Sequence, residues 1–168
     1  QSIIVSDDEN ITGNFTATDN VQKVIRPLFL NDLYSEYETC KNESTACNAL
    51  IERIRKLCVF DTSCGCGNFL LVSYKELNLL LSKIASSAGY KTIPLMPINN
   101  FYGIESNPFS CAIARMGLLF VVLQSKETSL DTLQADIGVL FNNNIVTGNP
   151  TRITWDSVCP GTSETYII

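Results

Sequence analysis

The sequence predicts an α/β fold with parallel strands. Short apolar runs ending on an acid or an amide alternate along the chain with longer, helix-compatible runs. One of them, Cys58-Val-Phe-Asp61, enters a turn bracketed by Gly65 and Gly67, and an apolar helical stretch opens at Asn68. Another, over residues 101–104, ends at Glu105 and meets Ser106-Asn107-Pro108, a helix start. Strands that alternate with helices of this length form βα units, which pair in parallel.

Taken in order, residues 1–11 are polar and acidic and read as a flexible lead-in to a single unit over 12–168. At 168 residues one domain is expected, and 45% hydrophobic content can fill its core. Thr16 and Asp19 have capping-box spacing. The apolar set Val21, Val24, Ile25, Leu28, Phe29, Leu33 and Tyr37 recurs at three- and four-residue steps, which predicts a long amphipathic helix kinked by Pro27. Phe15, just ahead of it, suits a hydrophobic staple. A polar link over 41–45 leads to a second helix near 46–57, with Leu50, Ile51 and Ile54 facing inward.

The strand over 58–60 comes next. The helix after the glycine turn, about 69–88, is apolar on most sides and so is expected to be covered, with Gly89 as its stop. Pro94 and Pro97 make 91–100 a loop. After the strand 101–104, Ser106 or Asn107 caps a helix whose first position is Pro108. Residues 109–123 carry a single charge, Arg115, but fall short of the ~20 residues of a bilayer span, which predicts a buried helix. An amphipathic segment over 130–141 precedes a strand at 144–147. A turn-rich link, 151–160, then leads to a last strand at 166–168.

Composition excludes several chemistries. There is no histidine, so His general bases, Ser-His-Asp triads and His-containing metal sites are ruled out of this chain. Twelve basic against seventeen acidic residues is a poor endowment for nucleic acid. Seven scattered cysteines form no Cys-x-x-Cys pair, and Cys64-Gly-Cys66 is too tight for a zinc ribbon. No metal is expected, and a reduced, cytoplasmic protein without a signal peptide or membrane span is the reading.

The residues after the glycine turn sort its possible roles. A phosphate-binding P-loop needs Lys-Ser/Thr after its last glycine, where Asn68-Phe69 stands; a dinucleotide fingerprint needs a third small residue, where Leu70 stands. Asp61, at the strand's end, repels phosphate but accepts from hydroxyl or ammonium groups.

Asp61-Thr-Ser-Cys64-Gly65-Cys66-Gly67-Asn68-Phe69 resembles motif I (Asp-Pro-Ala-Cys-Gly-Ser-Gly-x-Phe) of the adenine-specific DNA methyltransferases, in particular the large single-chain enzymes of restriction-modification systems. Further stretches match in the family's order. Gly13-Asn14-Phe15-Thr16 is similar to motif X, and Phe101-Tyr-Gly-Ile-Glu105 to motif II. Gly148-Asn149-Pro150 with Ile153-Thr-Trp155 is similar to motif III, and Tyr166-Ile167-Ile168 to the strand before motif IV. In the family that strand runs into Asn-Pro-Pro-Tyr/Phe, which holds the target adenine, whereas this sequence ends at Ile168. It therefore reads as the cofactor-binding half of a longer protein, meeting DNA through the other half.

The resemblance implies a Rossmann-like class I methyltransferase sheet, partial, with an N-terminal helical segment, and S-adenosylmethionine as cofactor. Phe15 and Thr16 would border its methionine end. Asp61 with the turn Cys64, Gly65 and Gly67, leading into Asn68 and Phe69, would hold the amino-acid portion. Glu105 would accept from both ribose hydroxyls, Asn149 would meet the adenine edge, and Ile104 and Ser106 would flank the ring. No catalytic residue is implied in this part. Phe15 replaces Tyr, Thr62 replaces Pro, and Asn149 stands where Asp is common.

Plainer roles stay open beside these. Asp61 could cap the glycine turn, Glu105 could be a helix-dipole charge, and Asn149 could be turn chemistry before Pro150. Cys64 and Cys66 lack a histidine partner or an adjacent cation, so packing is expected of them rather than nucleophilicity. A methyltransferase of the same fold acting on RNA, protein or a small molecule, or a non-catalytic nucleotide-binding or interaction module, would share most of these features.

Overall fold

In a computed structural model of the chain, the structure describes residues 18–125, 144–161 and 164–168. The lead-in 1–11, the motif with Phe15 and Thr16, and the amphipathic stretch 130–141 lie outside the described residues.

The expected long first helix is a continuous helical run in three parts: α1 (Thr18–Ile25), a π-helical turn Arg26–Leu30, and α2 (Asn31–Cys40). Pro27 has no N–H to offer the preceding turn, and the ladder widens around it, with the Asn31 N–H reaching Arg26 O. Val21, Ile25, Phe29, Leu30 and Leu33 are buried, but Val24 and Leu28, expected inward, are exposed. The wide π turn, Arg26–Leu30, shifts the register of the apolar stripe and leaves Leu28 outward. Helix α3 (Ser44–Ile54) buries Leu50, Ile51 and Ile54 as expected.

Strand β1 (Cys58–Asp61) is buried along its whole length. Helix α4 (Asn68–Ser87) lies across the sheet, and Gly89 closes the end of the helix at φ 79°. The helix is covered less completely than its composition predicts, because Leu79 is 56% exposed. Strand β2 (Phe101–Glu105) follows the proline loop, and helix α5 (Pro108–Ser125) starts on an Asn107 cap whose Oδ1 accepts from the Phe109 and Ser110 N–H groups.

The expectation of a buried helix here is corrected by α5. Cys111, Ala114, Leu118, Val121 and Val122 face the core, while Phe109, Met116 and Phe120 on the opposite face are exposed. By length and composition alone α5 could cross a membrane; in the fold it packs on β2 and on β3 (Ile145–Thr147). Arg115 turns inward to the edge, its guanidinium donating to Ile145 O.

With β4 (Thr165–Ile167) the sheet has four parallel strands in the order β3-β2-β1-β4. Moving outward from β1 to β2 to β3, right-handed crossovers put α4 and α5 on one face. The return from β3 to β4 runs backwards across the sheet, so the same handedness puts the described part of the link, 148–161, on the other face. Two cores result. Val59, Phe101 and Ile145 pack under the helices, while Cys58, Phe60 and Ile104 pack beneath Val158 and Cys159 of the link. All seven cysteines are free thiols.

Candidate functional site

The chain reverses its direction across the sheet at β1, whose neighbours are β2 and β4. Ligands of open parallel sheets bind at such a switch point, outside the carboxyl ends of the strands. Asp61 ends β1 there and is only 4% exposed. Its Oδ1 accepts from the Ser63 N–H at 3.0 Å. Burial raises its carboxyl to about pKa 6; the Ser63 bond pulls the other way, and the Glu105 charge adds to the rise.

The turn beyond Asp61 is shaped by two left-handed glycines, Gly65 at φ 52° and Gly67 at φ 85°. The Gly67 N–H closes the turn on Cys64 O at 2.7 Å. A Cβ on Gly67 would stand 2.9 Å from the Ala114 Cβ, so glycine is required twice over, by φ and by the approach of α5. At Gly65 a Cβ would meet nothing within 4 Å among the described residues, which leave that side of the turn open. Asn68 and Phe69 form the first turn of α4 and are half-buried.

The end of β2 is the other wall. Cys64 N–H donates to Ile104 O at 2.9 Å, and Cys64 Sγ sits where a Gly103 Cβ would have been, 2.8 Å away. Burial, with nearby carboxylates, pushes the Cys64 thiol far above its ordinary range, so packing is its role, as the sequence suggests. Glu105 Oε2 accepts from the Gly65 N–H at 2.9 Å; Oε1 accepts from the Asn107 N–H at 2.7 Å and from Ser106 Oγ at 3.2 Å.

Asp61, the Cys64 to Gly67 turn, Glu105 and Ser106 therefore lie together outside the carboxyl ends of β1 and β2, where the crevice of such sheets is found. Other candidates are less directly placed. The Ile104 side chain is fully buried in the second core. Asn149 follows β3, and Gly148 N–H is tied to Glu105 O at 2.9 Å. The Asn149 oxygen, however, takes both the N–H and the hydroxyl of Thr151, at 2.9 and 2.7 Å. Phe15 and Thr16 lie outside the described residues.

Sequence reasoning missed three supports: Gly103 as the seat of Cys64, Ala114 as the small residue facing Gly67, and Ile168, whose carbonyl takes the Thr62 N–H at 3.2 Å and hydroxyl at 3.3 Å. For Gly103, a glycine two residues before a strand-ending acid was the available signal. Two clefts of about 310 and 320 Å³ flank the loop residues Ile93 and Leu95, toward the amino ends of the strands and away from both carboxylates.

Chemically, the crevice offers acceptors. Two carboxylates beside an open backbone turn repel phosphate and suit ammonium and hydroxyl donors.

Residues 37–168 match the family described as MmeI, DNA-methyltransferase domain. The chain is 30% identical over 165 residues to DNA methyltransferase A of Bacillus subtilis (strain 168), across 92% of this chain and 19% of that protein. It also superposes on the structure of the Type IIL restriction-modification enzyme MmeI in complex with DNA with a TM-score of 0.69 at 30% identity, covering 85% of this chain and 21% of that one. The sequence thus spans about a fifth of the length of these relatives.

Proposed function

Because the chain belongs to the MmeI DNA-methyltransferase domain family, we propose that it forms the S-adenosylmethionine-binding part of a restriction-modification methyltransferase that acts on the amino group of adenine in DNA. The observation that carries this reading is the pair of carboxylates, Asp61 and Glu105, ending adjacent strands with an open glycine turn between them.

The residues fit the cofactor's chemistry. Its ammonium and its ribose hydroxyls are donors, and the crevice presents acceptors. Asp61 has acceptor capacity beyond the Ser63 bond, and the side of Gly65 that lacks a Cβ leaves room against the backbone. Asp61 and the turn from Cys64 to Gly67, set by Asn68 and Phe69, would hold the amino-acid end. Glu105 would take the ribose, with Ser106 beside the ring. Asn149 would offer its amide nitrogen to the adenine edge, since its oxygen already accepts two bonds. Phe15 and Thr16 would close the methionine end.

When bound, the cofactor supplies a methyl group on a sulfonium, a good leaving group, so the chain needs no strong acid or base. A sequence without histidine can serve such a reaction. The work left to the protein is alignment of amine, methyl and sulfur. The target adenine, turned out of the duplex, would be held by the Asn-Pro-Pro motif that the family carries after a strand like β4.

Calorimetric titration with S-adenosylmethionine tests the binding half. We expect binding by the unmodified chain or by a longer polypeptide continuing past Ile168, lost in Asp61→Ala and Glu105→Ala proteins that remain folded. Absence of binding in both the short and the long protein would refute the reading. Mass spectrometry of nucleosides from DNA treated with the long protein tests the rest: N6-methyladenine is expected, and methylcytosine alone would reject the adenine assignment.

A further inference from the structure

Three consecutive residues at the end of β2 hold the glycine turn. Gly103 makes room for Cys64 Sγ, Ile104 O accepts the Cys64 N–H, and the Glu105 side chain accepts the Gly65 N–H. The first two contacts fix the turn's root. The third reaches its crest, where Gly65 adopts a left-handed φ of 52° and a Cβ would meet nothing within 4 Å among the described residues. Meanwhile Oε1 of the same carboxylate is anchored on the Asn107 N–H at the start of α5.

We propose that Glu105 is a positioning residue for the cofactor turn: its carboxylate ties the Gly65 backbone to the β2–α5 junction and preforms the turn before any ligand arrives. This role is added to the ribose contact, which rests on the function proposed above. The two are compatible. A carboxylate oxygen can accept two hydrogen bonds, and Oε2 holds one, so a ribose hydroxyl can join it without releasing Gly65. On Oε1 the Ser106 hydroxyl, at 3.2 Å the longest of the three contacts, can rotate away to admit a second hydroxyl.

The two anchors make an unusual demand on chemistry. Both are backbone N–H donors, and they sit on different oxygens. A glutamine has one oxygen and one NH₂ group, so either way round it sets NH₂ against one N–H and loses that bond. Glu105→Gln, nearly the same in shape, should therefore loosen the turn with no ligand present. Glu105→Asp keeps the charge but is one carbon shorter, and should also release Gly65.

Amide hydrogen exchange of the unliganded chain by NMR reads this directly. In the unmodified protein the Gly65 amide should be protected. In Glu105→Asp its exchange should accelerate at least about tenfold, the loss of one charge-assisted hydrogen bond, and in Glu105→Gln the same acceleration should appear at Gly65 or at Asn107, whichever N–H faces the new NH₂ group. The Cys64 amide, bonded to Ile104 O, is the internal reference and should stay protected. A Gly65 amide that exchanges at the unprotected rate in the unmodified chain would overturn the proposal, as would Gly65 protection unchanged in Glu105→Asp together with Gly65 and Asn107 protection both unchanged in Glu105→Gln. Loss of Cys64 protection along with Gly65 would also overturn it, since Glu105 would then merely be stabilising the fold. A loosened Gly65, with no S-adenosylmethionine binding by either the short or the longer protein, would uphold the brace and sink the cofactor reading; the reverse pattern would do the opposite.

Discussion

Thr62 stands where the resembled motif carries proline, and the exchange gains two donors. Its N–H and its hydroxyl both reach Ile168 O, tying the turn to the end of β4. Proline could make neither bond. Restoring the family's commoner residue, Thr62→Pro, should thus destabilise the chain by about 1–2 kcal/mol in urea melts, although consensus substitutions usually stabilise; a gain in stability would show these bonds to be idle. Asp61 carries a second residue-scale consequence. Folded, it keeps its proton to about pH 6; unfolded, it releases it near its ordinary value of 3.8. Between these values the folded state binds more protons, so stability falls as pH rises through the window and levels off above it. The change is on the order of 2–3 kcal/mol. Urea melts from about pH 4 to about pH 7 should show the decline, and Asp61→Asn should remove its part of it. A profile that rises through this window in the unmodified chain, and is the same in Asp61→Asn, would contradict the burial argument.

At the scale of elements, legibility came from residues with only one comfortable place. A charge cannot sit inside a buried parallel strand, so Asp61 and Glu105 mark the strand ends correctly. Gly89 and the Asn107-Pro108 pair mark helix ends for equally local reasons. Helix α5 is misjudged from sequence because nearly every side chain from 109 to 123 is apolar, and periodicity is silent when no polar face exists to alternate with. The two faces differ all the same: Leu118 is fully buried, whereas Met116 is 51% and Phe120 54% exposed. Leu118→Ala should therefore cost about 2–4 kcal/mol, and Met116→Ser or Phe120→Ser no more than about 0.5 kcal/mol. Thermal melts of the three variants would check the contrast. A Phe120→Ser protein as unstable as Leu118→Ala would mean that the outer face is covered in solution. The brace from Glu105 to Gly65 is illegible for a different reason. It joins residues far apart in sequence, and nothing local to either announces it.

For the molecule as a whole, the strand order comes within reach only through the family resemblance, because a strand's own residues do not specify its neighbours. The handedness of crossovers then explains why the helices share one face and residues 148–161 of the link lie on the other. The same whole-molecule view bears on DNA. Seventeen acids outnumber twelve bases, and several of the bases are already engaged. Arg53 pairs with Glu36 and Glu164, Lys41 pairs with Glu38, and Arg115 donates to a strand carbonyl. Affinity for a duplex comes from releasing counterions with clustered cations, and a chain of this balance has few to spare. Fluorescence anisotropy with a labelled duplex at about 50 mM salt should show no binding up to roughly 100 µM protein, the weak limit of the usual non-specific range. Binding that weakens steeply with added salt would show instead that the remaining cations gather into one footprint, and DNA contact would then belong to this chain itself. If none is seen here while a longer polypeptide binds the same duplex, recognition belongs to the other part, and this domain contributes the crevice.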